Sequence, residues 1–286
     1  MTKPTRVLRD LLAKPGAVYA PGAYDALTAQ LVERSGFPAV YMTGAGVSAA
    51  WGLPDYGLLS MSEITLTLER IARCVGVPVI ADADTGYGNE LNVVRTVQEF
   101  EMRGCAALHI EDQMFPKKCG HLEDKQIAPL EDFTRKIAAA AYARKDPDFL
   151  LIARSDARAK YGLDEAVRRV NAALEAGADV GFVEAPESME EIRAIPKLVK
   201  GPCMINIVRG GKTPLVPLQD LAELGYKIVI TPGMALMTVI TAYEAALEGL
   251  RDTGSIPVPL KNISIPQVLE RVASETWDAH RAKVSA

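Results

Sequence analysis

The sequence predicts a (β/α)₈ barrel of the TIM type, an α/β fold built on one closed parallel sheet. Three observations predict it. A unit recurs in which an amphipathic helix stops at a glycine and a short apolar strand follows. About eight strands can be placed in this way, the number such a barrel needs. Nearly every strand then runs out into acids, glycines or an arginine, as expected where barrel strands end at a shared active-site face. A doubly wound open sheet is the structural rival, and periodicity alone does not exclude it.

The first strand is placed at Val18, Tyr19 and Ala20. A helix then closes at Ser35-Gly36 and leads into a strand over 39–42. Glycine suits such a helix end because it reaches positive φ without a Cβ clash. The third strand falls in 77–81, and Arg103-Gly104 leads into the fourth over 106–110. The fifth is the apolar run 149–153. The next helix shows its period plainly, with Ala166, Val167, Val170, Ala173 and Leu174 on one face and Arg168, Arg169 and Glu175 off it. It stops at Gly177 before a strand over 180–183. Residues 203–205 supply the seventh strand, and Leu224-Gly225 leads into the eighth over 227–230. An Ala/Leu-rich helix follows from about Met234 to Leu250. A linker punctuated by Pro257, Pro259 and Pro266 leads to a last amphipathic helix marked by Val268, Leu269, Val272, Ala273 and Trp277. Residues 1–250 are therefore expected to form the catalytic barrel, and 251–286 a linker and helix that serve as a subunit contact.

Composition agrees with this reading. The chain has 286 residues, 49% apolar and 24% charged, which excludes disorder, collagen and coiled coil. A net charge of −4 gives no general pull toward nucleic acid or an anionic membrane, so neither is expected as a partner. Four cysteines do not make a disulfide framework in a chain of this length. The first residues lack a signal-peptide core and no apolar stretch is long enough to span a bilayer, so a cytoplasmic enzyme is expected.

The informative residues follow the strands. Strand two runs into Thr43, Gly44 and Ala45, strand three into Asp82 and Asp84, and strand four into Glu111 and Asp112. Strand five ends in Arg154, Ser155 and Asp156, strand six in Glu184 and strand seven in Asn206. Asp82, Asp84 and Glu111 form a carboxylate cluster that Asp55 can join. Hard oxygen ligands of this kind suit Mg²⁺, and Mn²⁺ also fits. Helix capping or surface charge is the competing explanation for the same acids. Cys119 follows two lysines in the loop after strand four, which predicts a lowered thiol pKa suited to proton transfer or nucleophilic attack. No second Cys/His pair stands at finger-like spacing, which argues against structural zinc. Cys74, Cys105, Cys203 and His109 read as core residues, and His280 as exposed. Gly210-Gly211-Lys212-Thr213 and Gly86-Tyr87-Gly88 read as turns, since each lacks part of the phosphate-binding pattern it imitates.

Together these residues resemble the isocitrate lyase/phosphoenolpyruvate mutase superfamily. The resemblance runs from Pro21-Gly22-Ala23-Tyr24-Asp25 to about Leu250. Its most specific piece is Lys117-Lys118-Cys119-Gly120-His121, which looks like the lyase signature. The stretches 81–88 and 109–113 are further strong matches. The sequence Gly210-Gly211-Lys212-Thr213-Pro214 looks most like the 2,3-dimethylmalate lyase/2-methylisocitrate lyase branch, on its dimethylmalate side. The resemblance implies a barrel whose C-terminal helix is exchanged between subunits of a homotetramer. It implies Mg²⁺ near Asp82, with Asp55, Asp84 and Glu111 acting largely through its waters. A pyruvate-like group is expected against Tyr41, Thr43, Gly44 and Ala45, with Arg154 on a carboxylate. Glu184, Asn206, Gly120 and His121 are expected around the second product.

The expected reaction is Mg²⁺-dependent cleavage of a small 2-hydroxy di- or tricarboxylate, a carboxylate substrate, to pyruvate or a related 2-oxo acid plus a carboxylic acid. Cys119 is the expected proton donor, His121 joins the catalytic set, and Tyr41 and Glu111 are alternative bases. Two further activities compete. Carboxyphosphonoenolpyruvate-type phosphonomutase chemistry would use positive charge from Arg209 and Lys212. Oxaloacetate hydrolysis is disfavoured because family members with that activity tend to have serine where Pro232 stands. Arg209 also stands where relatives usually have glutamate.

Overall fold

Strands buried on both faces are written in continuous apolar residues and need helices to cover them. In the computed structural model, which describes residues 2–122 and 124–285, the chain meets both conditions. The strands are β1 (Val18–Ala23), β2 (Val40–Met42), β3 (Val79–Asp82), β4 (Ala107–Glu111), β5 (Leu150–Ser155), β6 (Val180–Val183), β7 (Cys203–Asn206) and β8 (Tyr226–Thr231). They pair in chain order as a closed barrel, and β8 returns to β1 in parallel from Val18↔Ile228 to Pro21↔Thr231. Closure excludes the open-sheet rival.

The helices in order are α1 (Pro4–Ala13), α2 (Ala26–Arg34), α3 (Gly44–Ala50), α4 (Met61–Cys74), α5 (Glu90–Met102), α6 (Leu130–Ala143), α7 (Arg158–Tyr161) and α8 (Leu163–Glu175). They continue with α9 (Met189–Leu198), α10 (Leu218–Glu223), α11 (Met234–Thr253), α12 (Ile265–Arg271) and α13 (Ser274–Val284). Local chemistry starts several of them. Asp25, Ser60 and Asn89 each close a capping box at the head of α2, α4 and α5, and such a cap is worth about 1 kcal/mol. In α4 the buried residues Ile64, Leu68 and Ile71 recur at helical spacing, so one stripe faces the sheet.

Because strand side chains alternate, each strand serves two layers. Ile80, Leu150, Ile152, Phe182, Met204 and Ile228 pack together in the barrel lumen. Their chain neighbours, among them Val79, Leu151 and Ala153, pack outward against helices. Leu8 of α1 is fully buried in the luminal cluster, so α1 closes the N-terminal end of the barrel. Two steps beyond the luminal apolar residues come Asp82 after Ile80, Arg154 after Ile152, Glu184 after Phe182 and Asn206 after Met204. The pleat that fills the core thus also aims the polar ring into the C-terminal mouth.

Several details depart from the sequence reading. β1 runs to Ala23, beyond the expected Ala20, because it pairs with both β2 and β8. Arg169 is buried on α8 rather than turned to solvent, since it reaches Asp112 at 3.4 Å and the Ala128 carbonyl at 2.8 Å. Cys74 is only half-buried at the end of α4. The last helix is broken into α12 and α13 at Ala273, where φ is 59°. α12 rests on α2, with Arg34 donating to the Glu270 carbonyl at 3.0 Å. None of α11, α12 and α13 contains a buried residue. Among the described residues no helix is long and apolar enough to cross a membrane.

Candidate active site

The mouth of the barrel holds a cavity of about 110 Å³. Of the residues singled out from sequence, Tyr41, Thr43, Ala45, Asp55, Asp82, Cys119, Gly120, His121, Arg154, Glu184 and Asn206 line it. Gly44, Asp84 and Glu111 stand one layer behind. Gly44 lies so close to Asp82 that a Cβ on it would meet Oδ2 at 2.7 Å. Asp84 has a positive φ of 48°, an uncommon conformation for a residue with a side chain, and it reaches the site through Lys117.

The carboxylate side is built around Lys117. Its buried Nζ pairs with Asp55 and, at 2.7 Å, with Asp84. This corrects the expectation for Cys119. Lys117 spends its charge on those carboxylates, and burial pushes the Cys119 thiol above its ordinary value instead of below it. Cys119 is therefore a protonated thiol at neutral pH, suited to giving a proton rather than attacking as a thiolate. Burial opposes the charge on Lys117 too, but Asp84, Glu111, Asp82 and Asp55 outweigh it and hold the ammonium well above its usual range. Burial raises Asp84 to about 6 and lifts Glu111 well above the carboxylate range. Asp82 goes the other way, because His109, Lys117 and Arg154 together overcome its burial.

His109 belongs to the site as well as to the core. Its Nε2 lies 2.7 Å from the Tyr41 hydroxyl and 3.5 Å from Asp82 Oδ1. Its ring stacks on Tyr41 with centroids 5.9 Å apart. Burial lowers it to about 4, so it is neutral at pH 7. Tyr41 is raised well above its normal value by burial, so its phenol keeps its proton.

On the opposite side Arg154 is held from behind. Its Nε and Nη2 donate to Asp156 at 2.9 and 3.1 Å, and its guanidinium lies 5.4 Å from the Phe182 ring centroid. Nε also approaches Glu111 at 3.4 Å. Asn206 donates to Glu184 at 3.1 Å, and His121 Nε2 sits 3.4 Å from the same oxygen. The Lys212 backbone N–H donates to His121 Nδ1 at 3.2 Å, which leaves the neutral ring's proton for Nε2. Gly120 is required here: a Cβ would strike Arg154 Nη2 and come within 2.6 Å of Glu184 Oε1. Arg209 is exposed and does not line the cavity.

The oxygens of this mouth fit a hard cation. Glu111 Oε1 is a buried acceptor without a hydrogen-bond partner on the carboxylate side, and Glu184 Oε2 and Asn206 Oδ1 are two more on the opposite side, an arrangement that is costly unless something binds there. Among the described residues no three acidic, thiol or imidazole groups converge tightly enough to enclose a metal unaided. A cation held here would keep several waters and take one or two of the carboxylates, the habit of Mg²⁺.

A family model described as phosphoenolpyruvate phosphomutase matches residues 8–251. The chain belongs to this family. The barrel is the one the isocitrate lyase/phosphoenolpyruvate mutase resemblance implied. A 2,3-dimethylmalate lyase of Eubacterium barkeri is 48% identical over 236 residues, 82% of each chain. A 2-methylisocitrate lyase of Aeropyrum pernix is 44% identical over 255 residues, 89% of this chain and 82% of that one. A solved phosphonopyruvate hydrolase in complex with oxalate and Mg²⁺ superposes with a TM-score of 0.90 over all of both chains at 33% identity. Within the superfamily the chain is a carbon–carbon lyase.

Sequence reasoning missed Lys117 as the partner of the carboxylates, His109 as a neighbour of Tyr41, and the Lys125–Asp156 pair behind Arg154. Asp156 was visible as a polar strand end, but nothing in the sequence joins it to Lys125.

Proposed function

We propose that the protein is a Mg²⁺-dependent lyase that splits a small 2-hydroxy di- or tricarboxylate of the 2,3-dimethylmalate or 2-methylisocitrate type. Its products would be pyruvate or a related 2-oxo acid and a carboxylic acid. One observation carries the reading: a protonated thiol, Cys119, and an oriented guanidinium, Arg154, share one small cavity with the buried oxygens around Asp82. The hydrolase relative crystallised with Mg²⁺ supports the choice of metal. Asp82 and Asp55 at the cavity, with Asp84 and Glu111 behind them, would hold the ion through its waters, and Mn²⁺ would substitute. When bound, Mg²⁺ supplies Lewis-acid polarisation of the forming 2-oxo carbonyl.

The chain's own groups do the rest. Arg154, fixed by Asp156, pairs with a substrate carboxylate. The first N–H groups of α3, at Gly44 and Ala45, have no intrahelical partner and can donate to oxygen as charge develops. A base takes the hydroxyl proton, the carbon–carbon bond breaks, and the electron pair passes to the departing carboxylic acid. Of the two candidate bases, Tyr41 lines the cavity but burial keeps its phenol protonated, and Glu111 stands behind the cavity and is raised by burial as well, so neither is singled out. Cys119 then protonates the carbanionic carbon. Asn206, Glu184 and His121 surround this second product.

Arg209 lies outside the cavity and offers a phosphonate no positive charge there, which weighs against the phosphonomutase reading. Pro232 lines the cavity where oxaloacetate hydrolysis would call for serine. The test is a coupled 2-oxo acid assay across 2,3-dimethylmalate, 2-methylisocitrate and isocitrate, with and without Mg²⁺. Metal-dependent product from one of the first two is expected. Turnover of only oxaloacetate or a phosphonate would overturn the reading.

The apolar side chains left open on the C-terminal segment support a homotetramer in which a neighbouring copy covers them. Ile256, Val258 and Leu260 are at least 85% exposed. Light scattering on the eluting protein should give four times the 30.8 kDa chain mass.

A further inference from the structure

Cys119 sits in a loop that leaves the barrel after β4 and returns before α6, yet its backbone is gripped on both sides. Before it, the side-chain amide of Gln113 takes Lys118 at two points: Oε1 accepts the Lys118 N–H at 2.9 Å, and Nε2 donates to its carbonyl at 2.8 Å. After it, Lys125 Nζ donates to the Gly120 carbonyl and, at 2.9 Å, to Asp156 Oδ1. Gln113 and Lys125 are both buried. Both grips issue from the base of the loop, where the chain is fixed. Gln113 pairs with Ile127 across an antiparallel bridge, Met114 N–H donates to the Gln126 carbonyl at 2.8 Å, and Ala128 N–H donates to the Asp112 carbonyl at 2.8 Å. Asp156, which receives Lys125, is the carboxylate that orients Arg154.

We propose that Gln113 and Lys125 are positioning residues that clamp the loop on either side of Cys119, and that Lys125, through Asp156, ties the place of the thiol to that of Arg154. The inference rests on the lyase reading only for what the thiol does once placed. Neither residue touches the cavity. Each acts on a backbone group next to the reacting side chain, and Gly120, which has no room for a Cβ, lets the carbonyl held by Lys125 lie beside Arg154 and Glu184. Without Lys125 the buried Gly120 carbonyl loses its ammonium donor and Asp156 keeps only Arg154. The loop is then free to swing out, carrying Cys119 into solvent.

The test measures the position of the thiol without requiring turnover. Wild type, Lys125→Met and Gln113→Leu are treated with iodoacetamide, and alkylation of each cysteine is followed by peptide mass spectrometry. Half-buried Cys74, far along the chain on α4, serves as internal reference. Each variant should raise the Cys119 rate by about tenfold or more, the weight of one charge-assisted or two neutral hydrogen bonds, with Cys74 unchanged. With a substrate in hand, Lys125→Met should lower kcat more than it raises KM, and Lys125→Arg should restore part of kcat. Wild-type Cys119 reactivity in a folded variant overturns the clamp, whatever the activity. If Lys125→Met does not fold, Gln113→Leu decides alone. Inactivity of the wild type toward every carboxylate, with Cys119 still protected, overturns the lyase reading and leaves the clamp standing.

Discussion

The two ends of the barrel lumen are built from the same strands and have opposite characters. Toward the N-terminal end Leu8, Val18, Ile80, Leu150 and Val180 form a closed apolar plug. Further along the same strands Asp82, Glu111, Arg154 and Glu184 are buried together, the Lys117 ammonium joins them from the loop after β4, and Glu111, Glu184 and Asn206 each keep an acceptor unpaired. Burying charge is unfavourable unless the surroundings hold it in place. The apolar end supplies that support, so the mouth can keep groups that would not fold a protein by themselves. The division matches the general rule that barrel function gathers at the C-terminal face and stability at the other.

Mutation can break that division or sharpen it. The largest effect is expected from Cys119→Ser, which should lower kcat by roughly 10²–10⁴, the range of a lost general acid, with little change in Tm. The alkaline limb of kcat belongs to the same experiment. A proton donor fails as pH rises through its pKa, and burial places the Cys119 thiol above the ordinary thiol value. Activity should therefore persist past that value and then fall, and the limb should move in the serine variant. Asp82→Ala should follow, with a loss of about 10²–10³ and loss of the response to Mg²⁺, read by metal titration. Unchanged Mg²⁺ affinity would remove Asp82 from the metal site. The smallest effect on rate is expected from Leu8→Ala at the other end. It should cost about 2–5 kcal/mol of stability, as cavity-forming substitutions do, and leave KM and kcat near wild type. A large rate effect there would show that the ends are not separable.

The barrel was readable because its rules are local. Each strand is a short apolar run, and glycines mark where Gly36, Gly104, Gly177 and Gly225 end the helices before β2, β4, β6 and β8. The ring of site residues was readable for the same reason, since a polar residue ending a buried strand stands out. What stayed hidden depends on partners far away in the chain. Lys117 meets Asp55 from 62 residues off, and Tyr41 meets His109 from 68. The two lysines before Cys119 suggested a lowered thiol pKa only while their charge was assumed to face the sulfur. Arg169 looked solvent-facing by helical period, yet Asp112 and the Ala128 carbonyl draw it inward. The helical period sees spacing along α8, but not what the loop after β4 brings to it.

The two-residue rhythm of the strands has a consequence for how such a mouth can change. Deleting one residue within β5 would turn Arg154 out into the helix layer and bring an outward-facing neighbour into the lumen. An inserted or deleted residue is absorbed only where the ladder can bulge, as it does between β7 and β8 at Cys203/Met204, so the chemistry is retuned most directly by exchanging side chains in place or by altering the loops above.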